Sequence, residues 1–330
     1  MVARAKPGDD ARWMAAAIAL ASRGRGLSTP NPNAGCVLVR GDVVVGRGWT
    51  QVGGRPHAEG MALGQAGDAA RGACAYVTLE PCAHDSVRGM ACADALIAAG
   101  VARVVAATLD PDPRTNGAGI KRLNAAGIAV TSGVLADAAR AATAGWWTRA
   151  TLGRPHVTLK LGLSLDGCIA MADGLSRWIT GERARAHAHL LRARSDAILV
   201  GRGTYDADAP SLDVRLAGLE GRSPKRLMLT HGPAPDGWDA LPSPDAIADL
   251  DGINDLLIEG GAGAASSFLA ADLVDTLTLY RAPILIGGGR AALGDIGLGT
   301  LSDAHGRWRL ADAQVLGQDR VEIYQRMREG

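Results

Sequence analysis

Residues 78–96 read TLEPCAHDSVRGMACADAL. Two cysteines, Cys82 and Cys92, bracket a polar loop that carries His84, Asp85 and Arg88. The apolar run ACAYVTLEP leads into the first cysteine and reads as a buried strand. The pattern ADALIAAG follows the second and reads as a helix, with Gly100 in the stop position. The stretch is therefore a strand-to-helix junction with two thiols in it. Either they hold a metal that does chemistry, or they staple a loop, or they are two buried thiols that happen to be neighbours.

The residues upstream favour the first reading. His57-Ala58-Glu59 stands at the start of another helical stretch, HAEGMALGQAG. A zinc site that activates water needs three protein ligands and an open fourth position. His57, Cys82 and Cys92 offer one imidazole and two thiolates. Zinc brings the pKa of a bound water down to roughly 7. Glu59 is not a ligand in this pattern; it is placed to move protons between that water, a ring nitrogen and leaving ammonia. An HAE triplet alone, or a PC pair alone, is ordinary filler in many chains. Their joint occurrence at two junctions, with a third thiol in reach, is much rarer. A structural zinc site would close with a fourth ligand, for which His84 and Cys74 are the candidates. Cys74 lies inside a strand run and reads as a core thiol, as do Cys36 and Cys168.

The chain has 330 residues, enough for two domains of ordinary size. Its formal net charge is +1, which gives no electrostatic footprint for nucleic acid. The five cysteines form no disulfide framework and suggest a reducing compartment. No apolar run of about 18 residues predicts a membrane span, and MVARAKPGDDARW reaches acidic residues before any apolar run, unlike a secretory leader. A cytoplasmic setting is expected.

Strand and helix signals alternate throughout, which predicts an α/β fold with mostly parallel sheets. In the first half a helix over 10–23 precedes a hairpin, GCVLVRGDVVVGRGW, that turns at Gly41-Asp42; LADAARAATAGWW reads as one helix. After the joint TLGRPH the pattern restarts with HVTLKLGLSLDGCIA, a strand and its return. The amphipathic helix ERARAHAHLLRARS follows. DAILVGRG, RLMLTHG and DLLIEGG are strand–glycine units; GAASSFLAADL is a helix; TLTLYRAPILIGG and VEIYQRM are closing strands. The boundary is set near residue 152, giving domains 1–152 and 153–330. Residues 233–252 read as a loop.

Taken together, TPNPNAGCV, PHAE, VTLEPCAH, CADALIAAGVARVV and DPDPRTNGAGI resemble the bifunctional riboflavin-biosynthesis deaminase/reductase family. The resemblance covers nearly the whole chain. It implies a cytidine-deaminase-like αβα sandwich followed by a dihydrofolate-reductase-like α/β domain. It implies zinc and NADPH as cofactors, and a small-molecule substrate, a diaminopyrimidinone carrying a phosphoribosylamino group. That ring is deaminated by hydrolysis and its ribosyl group is then reduced to ribityl. By this similarity His57, Cys82 and Cys92 are the zinc ligands and Glu59 the proton shuttle. Asn31 is implied to hold the pyrimidine, although on its own it reads as a turn asparagine. A homodimer is expected, with no nucleic-acid or membrane partner. The family run Gly-(Arg or Lys)-Thr-Pro-Pro before the last cysteine is here Ser86-Val87-Arg88-Gly89-Met90-Ala91, one residue longer. Arg88 is the cation left there for the substrate phosphate; a solvated loop charge is its alternative.

No GxGxxG follows the first strand of the second half, so a Rossmann fingerprint is not supported. The resemblance instead implies that Gly162, Trp178, Thr204, Asp208 and the run Gly261, Ala262, Gly263, Ala264, Ala265, Ser266 and Ser267 line the NADPH site. It implies that Ser176, Arg192, Leu212, Arg215 and Glu259 contact the substrate, and that Lys160 is the active-site lysine. The forks of Arg192 and Arg215 suit a phosphate. Lys160 and Asp166 are the candidate general acids. Several plainer readings stand beside these: Trp178 as core, Arg192 on a solvated face of its Arg-rich helix, Asp208 as a turn cap, His187 and His189 as exposed. Between RLMLTH and LIEGG the family has a longer segment with another strand and helix, so one wall of the cofactor site is expected to be trimmed. A competing function is a nucleobase or tRNA deaminase with a non-catalytic binding domain, which predicts a basic stripe that the scattered Lys and Arg do not supply. A non-catalytic zinc module would tolerate loss of Glu59, yet Glu59 is present.

Overall fold

The computed structural model describes residues 7–84 and 87–328. Contacts divide the chain into two compact units, Met1–Gly153 and Arg154–Gly330. No helix among the described residues is long and apolar enough to cross a membrane.

The first unit runs α1 (Pro7–Ala21), β1 (Gly35–Arg40), β2 (Val43–Trp49), α2 (Ala58–Ala66), β3 (Cys74–Val77), α3 (Cys92–Ala99), β4 (Arg103–Ala106), α4 (Ala118–Ala125), β5 (Ala129–Ser132), α5 (Ala136–Ala142) and α6 (Ala144–Leu152). The sheet order is β2-β1-β3-β4-β5. Strands β3, β4 and β5 are parallel, but β1 runs antiparallel to both of its neighbours. The sheet is thus evenly mixed rather than mostly parallel. The two-residue Gly41-Asp42 turn allows β2 only an antiparallel return, and Gly41 takes the positive φ, 62°, that such a turn needs. The stretch expected as one helix over 135–147 is two, α5 and α6, meeting at Thr143, whose hydroxyl donates to the carbonyl of Ala139 at 2.9 Å.

Side chains of β1 alternate between two cores. Cys36 and Leu38 pack with Ala58, Ala62 and Leu96, beneath α2 and α3. Val37 and Val39 pack with Trp13, Met14 and Tyr76, beneath α1. That period of two makes the unit a three-layer αβα sandwich. The helices lie close because the contact residues are small. A Cβ on Gly35 would fall 2.0 Å from the carbonyl oxygen of Ala17 in α1, and one on Gly48 would fall 2.4 Å from that of Ala58 in α2. Gly48 thereby sets how near α2, and His57 in front of it, lies to the sheet.

The second unit runs β6 (His156–Leu163), β7 (Cys168–Ala170), α7 (Glu182–Ala193), β8 (Ala197–Gly201), α8 (Arg202–Asp208), β9 (Lys225–Leu229), β10 (Asp239–Leu241), β11 (Asp255–Glu259), α9 (Ala262–Ala270), β12 (Thr276–Arg281), β13 (Arg290–Ala291), β14 (Trp308–Leu316) and β15 (Asp319–Arg326). Eight strands form one sheet in the order β10-β9-β8-β11-β6-β12-β15-β14, and β7 pairs with β13 apart from it. The strands from β10 to β12 are parallel; β15 and β14 add an antiparallel hairpin. Every residue of β11 is buried, as a central parallel strand covered on both faces requires.

Residues 233–252, read as a loop, contain the edge strand β10 and a 3₁₀ turn over Pro244–Asp249. β10 has three residues of which only Leu241 is buried, too few to leave a periodic signal. β14 was also not expected; nearly all its residues are exposed, so its strand rests on pairing with β15 rather than on burial. The start of β6 is tied to β12 by Arg154 and Asp275, each 8% exposed, through two hydrogen bonds of 2.7 and 2.9 Å. Burial alone would raise the Asp275 carboxyl, but the Arg154 guanidinium holds it at about 2.

Gly35→Ala tests the close packing of α1. It is expected to cost about 1–3 kcal/mol or more, because the clash is with backbone that no rotamer change relieves. Chemical denaturation followed by far-UV circular dichroism checks this; an unchanged midpoint would contradict the packing.

Candidate active sites

His57 is the N-cap of α2, in extended conformation at φ −68° and ψ 165°. Cys92 is the first residue of α3. Its backbone N–H donates to Cys82 Sγ at 3.2 Å, so Cys82 sits directly at the start of that helix. His57 Nδ1 lies 3.3 Å from Cys92 Sγ and 3.6 Å from Cys82 Sγ. All three donor atoms fall within 4.8 Å of one another. Tetrahedral zinc with ordinary Zn–S and Zn–N bonds sets such donors about 3.5 Å apart, so the cluster fits the ion. His84 bonds Thr115 at 3.4 Å, and Cys74 packs in the core on the α1 side of the sheet. Neither closes the set, and no fourth protein ligand joins it among the described residues.

The electrostatics agree. A hydrogen bond from Cys92 and then the His57 ring pull the Cys82 thiol down to about 4, against its burial. Cys92 moves well up, because it donates to Cys82 and is itself buried. The pair thus shares a proton, since two adjacent thiolates repel. A divalent cation removes that conflict, and the positive end of α3 favours the same charge state. Glu59, 5% exposed on the first turn of α2, has its carboxyl raised by burial. It shares a small cavity with His57, Cys82 and Asp110.

The Asn31 amide nitrogen Nδ2 lies 3.1 Å from His57 Nε2. When Nδ1 is given to a metal, Nε2 carries the proton, and the amide must then turn over so that its oxygen accepts and fixes the ring. Gly54 backs this amide: at φ 86° it is left-handed, and a Cβ there would lie 2.5 Å from Asn31 Cγ. Arg88 is exposed and donates to Gly53 O at 3.1 Å. Asp85 and Ser86 of the remodelled loop lie outside the described residues.

In the second unit a cavity of about 1120 Å³ opens at the C-terminal ends of β8 and β11. It is lined by Lys160, Gly162, Ser176, Trp178, Arg192, Thr204, Asp208, Leu212, Arg215, Glu259 and the first turn of α9, Gly261 to Ala264. Such a volume exceeds an ordinary small-ligand pocket and suits a dinucleotide beside a second molecule. Thr204 Oγ1 accepts from Gly261 N at 2.9 Å and holds the glycine turn onto α8. Ala265, Ser266 and Ser267 do not reach the cavity. Ala265 is core, Ser266 accepts from Gly294 N at 2.8 Å, and Ser267 donates to Gly263 O at 2.9 Å. Only one turn of a helix can face a ligand at its end.

The sequence profile of the cytidine and deoxycytidylate deaminase zinc-binding region matches residues 7–108, and that of the RibD C-terminal domain matches 155–236 and 244–321. The riboflavin biosynthesis protein RibD of Escherichia coli K12 is 40% identical over 94% of this chain and 97% of its own length. The chain belongs to the RibD family. The RibD protein of Mycobacterium tuberculosis H37Rv is 39% identical over 89% of this chain and 91% of its own. Acinetobacter baumannii RibD superposes with a TM-score of 0.86 at 37% identity, covering 98% of this chain and 100% of that one. A Thermotoga maritima diaminohydroxyphosphoribosylaminopyrimidine deaminase/5-amino-6-(5-phosphoribosylamino)uracil reductase superposes at 0.85 and 29% identity, over 96% and 99%. RibD proteins join a zinc-dependent deaminase to an NADPH-dependent reductase in riboflavin biosynthesis, and both halves are present here. This displaces the reading of the second half as a non-catalytic module.

Within the RibD reductase fold several residues sit otherwise than expected. Arg192 is not on a solvated face, nor is its fork open to a phosphate. It clamps Glu259 through bonds of 2.7 and 2.9 Å and donates its remaining arm to Asp213 O at 3.0 Å. Lys160 Nζ adds a contact of 3.5 Å to the same carboxylate. Burial alone would raise Glu259, but Lys160 and Arg192 hold it at about 2. Arg215 is half exposed, 3.6 Å from Asp213. Asp166 is held low, at about 2, by the Ser164 hydroxyl and by the backbone N–H groups of Gly287 and Ile286, which all donate to its carboxylate. His187 and His189 are half-buried and bonded, to the Tyr280 hydroxyl at 2.7 Å and to Asp213 O at 3.1 Å. Trp178 is 64% exposed at the rim, with Arg185 stacked 4.8 Å over its ring, and is not core. Asp208 ends α8 and faces Arg177 at 3.7 Å.

Two residues of the RibD deaminase half escaped the sequence reading. Glu80, 2% exposed, accepts from the backbone N–H groups of Gly117, Ile120 and Asp110 at 2.8, 3.1 and 3.2 Å and so pins the turn-rich 110–120 segment beside the metal donors. Asp110, lifted to about 6 by burial, lies in the Glu59 cavity with Oδ1 bonded to Asp112 N and Trp146 Nε1. Carboxylates in LEPC and DPDP show their burial only once the loop is folded back.

Glu259→Gln is expected to destabilise the reductase unit by about 3–5 kcal/mol at neutral pH, because two cations lose a buried partner. The Glu259 carboxyl is depressed in the folded state, so its contribution is present above the unfolded value of about 4.3 and is lost as pH falls toward 2. Denaturation midpoints of the two proteins should therefore converge on acidification; a gap independent of pH would contradict the ion-pair account.

Proposed function

We propose that His57, Cys82 and Cys92 hold zinc, that Glu59 carries the proton traffic of deamination, and that the cavity of the second unit binds NADPH and the deaminated product. Residues 1–152 form the deaminase and 153–330 the reductase in this reading. The substrate pair is the one named for the Thermotoga relative. The observation that carries the proposal is the three-donor cluster with a buried carboxylate beside it and no fourth protein ligand among the described residues.

Zinc on these donors supplies a water acidic enough to react near neutral pH. Glu59 takes one proton from that water and passes it to the ring nitrogen next to the amino-bearing carbon; it then takes the remaining proton of the added hydroxyl and gives it to the amino group, which leaves as ammonia while the carbonyl forms. Burial suits it to this cycle, since a raised pKa makes its protonated form accessible. Asn31 orients the His57 ring rather than acting on the pyrimidine alone. Arg88, beside Gly53 at the edge of this site, is the cation assigned to the phosphate.

NADPH supplies the hydride for the ribosyl carbon. Lys160 is assigned as the proton donor of this half: its Nζ contacts the Glu259 carboxylate at 3.5 Å and lies 5.8 Å from the centre of the Tyr280 ring. Ser176 and Leu212 wall the substrate side, and Arg192 acts through Glu259. A cytoplasmic homodimer completes the reading; five cysteines without a disulfide fit a reducing compartment.

Glu59→Gln is expected to retain zinc but lower ammonia release by about 10²–10⁴-fold. Supplying the deaminated intermediate should restore NADPH oxidation to the same variant. Full ammonia release by Glu59→Gln would overturn the shuttle, and wild-type ammonia release with no NADPH consumption would overturn the reductase role.

A further inference from the structure

Six Lys and Arg side chains line the reductase cavity: Lys160, Arg185, Arg192, Arg202, Arg215 and Arg290. Three face carboxylates, Lys160 and Arg192 at Glu259 and Arg215 at Asp213. The other three have neutral partners among the described residues. Arg185 donates to Thr180 O and stacks on Trp178, and Arg290 donates to Ala172 O. Arg202 donates to the Thr230 hydroxyl and to Pro233 O.

Their places in the sheet separate these three. Thr180 packs against Gly162 of β6, and β13, which carries Arg290, pairs with β7. Arg185 and Arg290 therefore belong to the β6 side of the cavity, with Lys160. That is the side of the polar floor, where a nicotinamide must meet the sugar. A dinucleotide whose pyrophosphate lies on the first turn of α9 then sends its adenosine the other way, over β8 and β9. Arg202 is the first residue of α8, directly after β8, and it reaches residues that follow β9. Thr230 Oγ1 accepts from Arg202 and also from Gly232 N at 3.1 Å, which leaves its own O–H to donate.

We propose that Arg202, with the Thr230 hydroxyl, binds the 2′-phosphate of the adenosine ribose and so selects NADPH over NADH. The inference rests on the second unit being the NADPH-dependent reductase. A guanidinium free of carboxylates offers a planar fork to a phosphate dianion, whereas a 2′-hydroxyl gains little from it. Arg202 is then a specificity residue that takes no part in the chemistry.

Isothermal titration of the full-length, zinc-loaded protein tests this without turnover. Adenosine 2′,5′-bisphosphate and 5′-AMP are the probes, with NADP⁺ and NAD⁺ alongside. The wild type should prefer the 2′-phosphorylated member of each pair by about 10- to 100-fold. Arg202→Gln should abolish that preference while leaving 5′-AMP and NAD⁺ binding unchanged, and Arg202→Lys should keep part of it. Thermal melting of each variant verifies folding, and Arg290→Gln should leave the preference intact. Equal weakening of both ligands by Arg202→Gln would overturn the proposal, placing the arginine on the pyrophosphate or in the scaffold; so would a surviving preference. A wild type that binds neither dinucleotide would instead overturn the reductase reading on which the proposal rests.

Discussion

The N–H of Cys92 points at the sulfur of Cys82, and both lie at the positive end of α3, with His57 capping α2 a few ångströms away. Two thiolates in a buried place repel each other and resist ionisation. Here a backbone donor, a helix end and an imidazole stabilise one of them, and a divalent cation is what allows the second to ionise. The remainder of the first unit serves this convergence. Small residues let α2 approach the sheet, Gly54 makes room for Asn31 behind the imidazole, and Glu80 folds the 110–120 segment back beside Glu59. The site is built from backbone and helix ends at least as much as from the ligands themselves.

The second unit uses the opposite device. Glu259 is a buried anion at the end of a fully buried strand, stabilised by two cations from other elements, Lys160 on β6 and Arg192 on α7. The register puts Glu259 directly beside Lys160 in the parallel pair. The clamp fixes a charged floor in the cavity that the glycine turn before α9 and the start of α8 also line. A trimmed wall was expected here, but β10 still closes the edge of the sheet.

Most of the architecture was legible because it is written in periodicity. The Gly41-Asp42 turn, the Gly100 stop and the apolar strand runs all left local signals. The cluster of His57, Cys82 and Cys92 was legible because residue type and spacing together narrow its chemistry. What was not legible depends on long-range contact. The burial of Asp110 and Glu80, the capture of the Arg192 fork by Glu259 and the locking of Asp166 by residues 286–287 arise from segments far apart in sequence. β14 stayed hidden because pairing, not an apolar face, makes it a strand. Ala265, Ser266 and Ser267 were grouped with the cofactor site as a run, although a helix turns later residues away after its first turn.

The central claim is a three-ligand zinc centre of one imidazole and two thiolates with an open fourth position. Zinc K-edge X-ray absorption on the purified full-length protein tests it most directly. The account predicts one zinc per chain with two sulfur neighbours at about 2.3 Å, one histidine nitrogen near 2.0 Å and one exchangeable oxygen. A shell of three or four sulfurs, a second histidine in place of the oxygen, or protein that retains no zinc would contradict it.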